Sequence, residues 1–218
     1  MNEPTYPTNI QVQDRSPRAP FTLHSRFVDM NLPSALRPND MKCKEAFERC
    51  QIDYNVVDTP FGLAAIAATE NGVRELFFTT SLLAAKDYLD AKYNQAQIAQ
   101  LPNKYTAALS AIFNNHPNNQ APIALDINPT PFQAIVWEAL LSVPRGSVTS
   151  YKNIAELINQ PKAARAVGTA IARNPIAFLI PCHRVIPLSS KTSAKLGGYR
   201  WGVNRKADMI KWEAANHN

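Results

Sequence analysis

The stretch LIPCHRVIP, residues 179–187, sets one cysteine beside a histidine and an arginine, between two prolines. Free thiols titrate near 8.5, so a cysteine must become a thiolate before it attacks well at neutral pH. His183 is the obvious base for Cys182. Adjacent side chains of a strand point to opposite faces, so a bridging water or a turned backbone is expected to join the two, and Pro181 and Pro187 would stiffen such a turn. A third group must orient the imidazole. The only acids after Cys182 are Asp208 and Glu213. On a helix over NRKADMIKWEAANHN, Glu213 shares a face with Met209 and Ile210, and it is the favoured partner. The same residue types also fit a buried structural cysteine beside a surface histidine, so the surrounding elements must decide.

Those elements read as helices. PFQAIVWEALLSV opens with proline at a helix start and is expected to turn Ile135, Trp137, Ala139 and Leu140 toward a core. After the turn PRGS, residues 150–160 and 162–174 form two helices broken at Gln160-Pro161, with helix-turn-helix spacing. Ala163, Ala164, Ala166 and Gly168 would let the second helix lie close against a partner, although alanines are also simply good helix formers. Upstream, NVVDTPFGLAAIAATENGVRELFFTT is two apolar runs around Asn71-Gly72, a dipeptide suited to the positive φ angles of a tight hairpin. Antiparallel sheet is expected there. Ser81 is placed to cap a helix over 81–93, and KYTAALSAIF, 104–113, reads as another helix. The first 45 or so residues hold six prolines and no steady period, which reads as an irregular arm. The predicted organisation is an arm over 1–45, an α+β domain over 46–127 and a helical domain over 128–218.

With 218 residues, 45% of them hydrophobic, the chain can bury a substantial core. No apolar run approaches the roughly 20 residues of a membrane span, and MNEPTYPTNI lacks the layout of a secretory signal. A cytoplasmic protein without a membrane partner is expected. Cys43, Cys50 and Cys182 are too few and too odd for a disulfide framework. Cys43 and Cys50 share a helical face but have no second ligand pair, so no metal is expected. Residues 131–218 carry 12 Lys and Arg against 4 Asp and Glu, giving +8, whereas residues 1–130 carry 11 against 13, giving −2. Such asymmetry fits an acidic partner for the C-terminal part, most economically a nucleic-acid backbone, and it fits ordinary surface charge as well.

PCHRVIP, preceded by SYKNIAELINQPKAARAVGTAIARNP and followed by GGYRWGVNRKADMIKWE, resembles the O6-alkylguanine-DNA alkyltransferase (methylated-DNA–protein-cysteine methyltransferase) family. The match is close over residues 128–213 and loose over 56–80, with several separated motifs in the family's order. The tail GYRWG followed by RK is especially similar to the C-terminal half of the Ada members. The resemblance implies a ribonuclease-H-like N-terminal domain and a helix-turn-helix domain acting on alkylated duplex DNA through the minor groove. It implies a monomer with no cofactor. Cys182 corresponds to the alkyl acceptor, His183 to a water-linked base and Glu213 to the carboxylate that holds it. Tyr151 corresponds to the tyrosine that crowds the flipped nucleotide and gives a proton to the leaving guanine. Asn174 matches the asparagine tying the thiol loop to the recognition helix, and Arg165 the finger that fills the gap left by the extruded base. Ala163, Ala164, Tyr199 and Trp201 are carried over as DNA or substrate contacts.

The physics is consistent with that assignment. The guanine oxygen is paired inside the duplex, so the nucleotide must be flipped to meet a thiol held as an anion. In-line attack leaves a thioether with no easy leaving route, so each molecule should react once, on O6-alkylguanine, with O4-methylthymine as a further candidate. No glycine-rich nucleotide loop or methyl-donor site is found. The Ada members' N-terminal four-cysteine zinc module is not expected, because only Cys43 and Cys50 precede Cys182. Residues 187–198 depart from the family's usual short loop. Trp201 stands where some relatives have glycine, which implies a pocket preferring methyl over benzyl groups. The rival readings are a cysteine hydrolase, which would need an oxyanion hole, and a binding-only module, which would not need Cys182.

Overall fold

The computed structural model describes residues 50–101, 104–113, 123–188 and 196–216. The arm expected over 1–45, the helix expected from 42 up to Cys50 and most of the 187–198 loop lie outside them. The described residues form a mixed α+β structure in two compact units, one built from residues 50–130 and 175–177, the other from 131–174 and 178–216.

The first unit centres on a four-stranded sheet, β1 (Gln51–Val57), β2 (Ala64–Ala68), β3 (Val73–Phe78) and β4 (Gln97–Gln100), in the order β3-β2-β1-β4. The β1–β2 and β2–β3 pairs are antiparallel and β1–β4 is parallel. Helix α1 (Leu82–Lys92) starts where Ser81 accepts a hydrogen bond from the Ala84 N–H at 3.0 Å, the cap its sequence predicts. Helix α2 (Lys104–Phe113) spans the predicted residues. Every residue of β3 is buried, including Arg74 and Glu75, and both are paired. Arg74 bridges to Asp126 at 2.6 Å, while Glu75 accepts from Tyr93 at 2.6 Å and meets Lys92.

The turn between β2 and β3 departs from expectation. Asn71 and Gly72 do not take positive φ; the Thr69 N–H donates to the Gly72 carbonyl at 2.9 Å, closing a four-residue turn. Gly72 is required for a different reason. A Cβ there would lie 2.7 Å from the Ala124 carbonyl oxygen and 2.9 Å from the Asp126 nitrogen, because residues 124–126 pair along the edge of β3. Backbone cannot give way as a side chain can, so Gly72→Ala should cost about 1–3 kcal/mol. A urea denaturation midpoint equal to the parent's would refute this.

In the second unit α3 (Pro131–Leu141) starts on proline as predicted. Its phase differs by one position: Val136 joins Trp137, Ala139 and Leu140 inside, whereas Ile135, expected in the core, is 45% exposed. Trp137 fixes the phase by donating its indole N–H to the Ala170 carbonyl at 2.9 Å. Next come β5 (Thr149–Ser150), α4 (Tyr151–Leu157) and α5 (Ala164–Ala172). Helix α4 ends with Asn159 left-handed at φ 57°. The Asn159 N–H bonds to Glu156 at 3.0 Å and the Gln160 N–H to Ala155 at 2.8 Å, a Schellman ending that turns the chain back toward α5. Helix α5 buries Val167, Ala170 and Ile171. A single 3-10 turn (Cys182–Arg184), β6 (Val185–Ile186) and α6 (Val203–Ala215) complete the unit. Among the described residues no helix is long and apolar enough to cross a membrane, and no three acidic, cysteine or histidine side chains are grouped to hold a metal.

Candidate active site

The apolar run from Ile176 ends in two successive tight turns. At Pro181, φ −80° and ψ 59° with a 2.7 Å bond from the Cys182 N–H to the Ile180 carbonyl make an inverse γ-turn. The 3-10 turn follows, closed by the Arg184 N–H on the Pro181 carbonyl at 3.0 Å. The backbone at Cys182 is therefore turned, one of the two arrangements the sequence allows. Beyond it, β6 pairs in parallel with β5, Val185 opposite Thr149 and Ile186 opposite Ser150. That short ladder brings Tyr151, the first residue of α4, to the thiol. Burial, and then electrostatic interaction with the nearby Cys182, hold the Tyr151 hydroxyl above its ordinary pKa, so it keeps its proton at neutral pH.

Cys182 is 5% exposed. Burial pushes its thiol up, against four opposing influences: donation from Asn174, the charge of Lys206, and the backbone N–H groups of Cys182 and His183. The Asn174 amide, directly after α5, donates to the sulfur at 3.3 Å and to the Ile180 carbonyl at 2.9 Å. The Tyr199 hydroxyl donates to the Met209 sulfur at 3.4 Å, and burial first, then the nearby Cys182, raises its pKa. A desolvated thiolate is costly, so the anion inferred from sequence is not a resting property of the thiol itself; these neighbours must stabilise it.

Lys206 is the main surprise. It is 1% exposed and donates to the carbonyls of Val185 and Leu196, each at 2.7 Å. Burial lowers its pKa to about 8, with Cys182 opposing, so it remains a cation at neutral pH.

His183 is fully buried, its Nε2 3.1 Å from Glu213 Oε1. Neither ring nitrogen makes a hydrogen bond to a described residue, so the contact with Glu213 is foremost electrostatic. Burial pushes the imidazole below its ordinary value, Glu213 opposes, and Arg184 and Lys206 reinforce the fall. A neutral ring able to take a proton results. Glu213 is buried too, which alone would raise its pKa, yet the contact with His183 and the hydrogen bonds and charge of Arg184 bring it down to about 2. Arg184 clamps both carboxylate oxygens, Nε to Oε2 at 2.8 Å and Nη2 to Oε1 at 2.7 Å, and donates to the Val143 carbonyl at 2.5 Å. Asp208 is exposed.

Cys182, Asn174, Tyr151, Tyr199, His183 and Glu213 thus gather as one cluster. Trp201 reaches it through Tyr199, ring centroids 5.3 Å apart and edge-on. Arg165 is exposed and Ala163 and Ala164 half-buried at the start of α5, outside the hydrogen-bonded cluster. Sequence reasoning does not single out Lys206 or Arg184. A signal for Lys206 exists: it stands on the same helical stripe as Met209, Ile210 and Glu213.

Such a site, on this mixed scaffold, has the layout of a cysteine nucleophile with a histidine–carboxylate relay. The chain belongs to the methylated-DNA–protein-cysteine methyltransferase family. Residues 131–215 match the family described as 6-O-methylguanine DNA methyltransferase, DNA binding domain. The Mycobacterium leprae methylated-DNA–protein-cysteine methyltransferase is 41% identical over 138 residues, 61% of this chain and 81% of that protein. The Escherichia coli bifunctional transcriptional activator/DNA repair enzyme Ada is 33% identical over 171 residues, 78% of this chain but 47% of that protein. This chain therefore spans about half the length of that relative. Among solved structures, Mycobacterium tuberculosis OGT in complex with DNA matches with TM-score 0.60 and 33% identity, covering 75% of this chain and 93% of that one.

Proposed function

We propose that this protein repairs DNA by direct reversal, moving the methyl group of O6-methylguanine onto its own Cys182, once and irreversibly. The observation that carries this reading is a buried sulfur ringed by Asn174, Tyr199, Lys206 and a His183–Glu213 pair. The thiol proton passes to His183, through water at Nδ1, while Glu213 stabilises the imidazolium. The S–C bond forms as the bond from carbon to O6 breaks. Tyr151 hands a proton to the departing guanine and is reprotonated from His183, so the thiol's proton ends on the base. A thioether carries no proton to lose and no good leaving group, so turnover stops. The chain needs no cofactor for this.

The partner is alkylated duplex DNA, met as a monomer in a soluble, cytoplasmic setting. Helices α4 and α5 act as the helix-turn-helix, with α5 in the minor groove, where weak sequence readout suits a lesion-directed protein. The sheet order with one parallel pair supports a ribonuclease-H-like unit over 46–127, and the family match over 131–215 supports a DNA-binding unit over 128–218. O4-methylthymine is a second substrate of the same geometry. The deciding experiment is intact-protein mass analysis after incubation with a duplex carrying one O6-methylguanine. A gain of one methyl group, mapped to Cys182, is expected; an unmodified protein, or a methyl elsewhere, sinks the proposal.

Arg165, exposed on α5, is assigned the space left by the extruded nucleotide, where stacking offsets unstacking worth a few kcal/mol. Arg165→Ala should slow repair in duplex about tenfold or more while leaving reaction with free O6-methylguanine unchanged; equal slowing of both would contradict the assignment. Trp201 is assigned the wall of the alkyl pocket. Trp201→Gly should speed reaction with free O6-benzylguanine by about tenfold, measured against methyl transfer; an unchanged ratio would remove Trp201 from that wall.

A further inference from the structure

His183 is held at its edge by Glu213, and it is also held on its face. The Phe178 ring lies parallel to the imidazole, centroids 5.6 Å apart and planes 5° from coplanar. Phe178 in turn meets Trp212 edge-on at 5.9 Å, and the guanidinium of Arg145 sits 4.5 Å over the Trp212 ring. A column of packed groups, one contact edge-on, thus runs from exposed Arg145 through two aromatic rings to a fully buried imidazole. The column and the carboxylate share a base: Gly146, next to Arg145 and left-handed at φ 74°, points its N–H at Glu213 Oε2, 3.4 Å away.

The backbone is bent to put Phe178 there. Its φ is 63°, a left-handed conformation that is strained for a bulky L-residue. Such a conformation survives only where the surroundings fix it, and here it delivers a flat ring to the imidazole. Offset stacking of this kind adds to what burial alone contributes, and it constrains ring plane as a branched aliphatic side chain cannot.

We propose that Phe178, buttressed by Trp212 and Arg145, is a positioning residue for the alkyl transfer: it sets the plane of the His183 imidazole and keeps water off its face, and so sets the pH range of the reaction. The inference rests on His183 as the proton acceptor. Around the imidazole stand Glu213 and Lys206 from α6, Arg184 from its own turn, and Cys182 with Tyr199 and Tyr151 beyond. Glu213 favours the protonated ring, Arg184 and Lys206 oppose it, and dryness opposes it most. Admitting water raises the imidazole pKa toward its ordinary value. A protonated ring cannot accept the thiol proton, so the acid limb of the rate profile must move to higher pH.

The test is single-turnover methyl transfer from an O6-methylguanine duplex as a function of pH, in the parent, Phe178→Leu, Phe178→Tyr and Trp212→Leu. Phe178→Leu is expected to lower the plateau rate about three- to tenfold and to raise the acid limb by about half a pH unit or more. Phe178→Tyr, which restores a flat face, is expected to recover most of both, and Trp212→Leu to show a smaller shift in the same direction. A Phe178→Leu profile that is uniformly lower but unshifted, or a Phe178→Tyr profile no better, overturns the proposal by leaving Phe178 a packing residue only. Should Phe178→Leu fail to fold, histidine-selective NMR of the parent without DNA decides. The His183 ring signals should show Overhauser contacts to Phe178 and stay neutral through the range where free histidine titrates, near 6.5; signals without those contacts and titrating normally overturn it. Absence of transfer in the parent would instead strike at the assigned activity, leaving the NMR test standing.

Discussion

Cys182→Ser should abolish methyl transfer, with single-turnover rates at least about a thousandfold lower, while duplex affinity stays within about twofold of the parent. The hydroxyl retains its proton far above neutral pH, and neither Asn174 nor Lys206 supplies enough stabilisation to ionise it. The neighbours meanwhile accept the change. A serine oxygen can take the Asn174 hydrogen bond that sulfur now takes at 3.3 Å, so stability should shift by no more than about 1 kcal/mol. Gel-shift affinity and mass analysis on the same duplex check the two halves. Methyl appearing on the Cys182→Ser variant, or binding that collapses with the sulfur, would show that the nucleophile lies elsewhere or that its role is structural.

The second large effect is expected at Glu213. Its carboxylate meets His183 on one oxygen and two of the three guanidinium nitrogens of Arg184, at 1% exposure. Glu213→Gln removes the charge that stabilises the imidazolium and leaves Arg184 without its counter-ion. Transfer should fall on the order of a hundredfold, and breaking a buried pair from one side should cost about 3–5 kcal/mol. The pH dependence follows from the depressed pKa. In the folded protein Glu213 titrates at about 2 against an ordinary 4.5, so the folded state holds the charged form more tightly than the unfolded one. That stabilisation is complete above about 4.5 and is lost as pH falls toward 2. The parent should lose stability across that window in urea titrations, and Glu213→Gln should lose less. Equal acid sensitivity would mean that other carboxylates govern the acid transition.

Several parts of this site are legible in the sequence, for identifiable reasons. The choice of Glu213 over Asp208 follows from helical phase alone, and Ser81 and Pro131 mark helix starts through chemistry local to each position. Asn174 needs the family resemblance, since nothing in RNP itself reveals that an amide will reach a sulfur eight residues on. Lys206 is hidden because it reads as one more cation in the run NRK; its burial depends on two carbonyls supplied by Val185 and Leu196. Arg184 is hidden similarly, since its clamp on Glu213 spans 29 positions. Phe178 looks like one more residue of an apolar run, and its left-handed φ has no sequence marker. Gly72 stands out in the sequence for a property it does not use: the glycine is needed for room against Ala124, not for rotation. Ile135 departs from its expected place because an apolar helix offers several phases, and Trp137's bond to Ala170 selects among them.

The Asn174 amide spans only one side chain, yet one end belongs to the segment leaving α5 and the other grips both the sulfur and the carbonyl of Ile180. So short a strut has no hinge in it. If α5 rides in a groove of DNA, its depth and tilt there are copied to the nucleophile almost without play, and the protein has little slack with which to adjust its aim. Backside displacement tolerates only a narrow cone of approach, so the adjustment must come from the other reactant: it is the swung-out nucleotide, on its flexible sugar–phosphate tether, that does the final lining up.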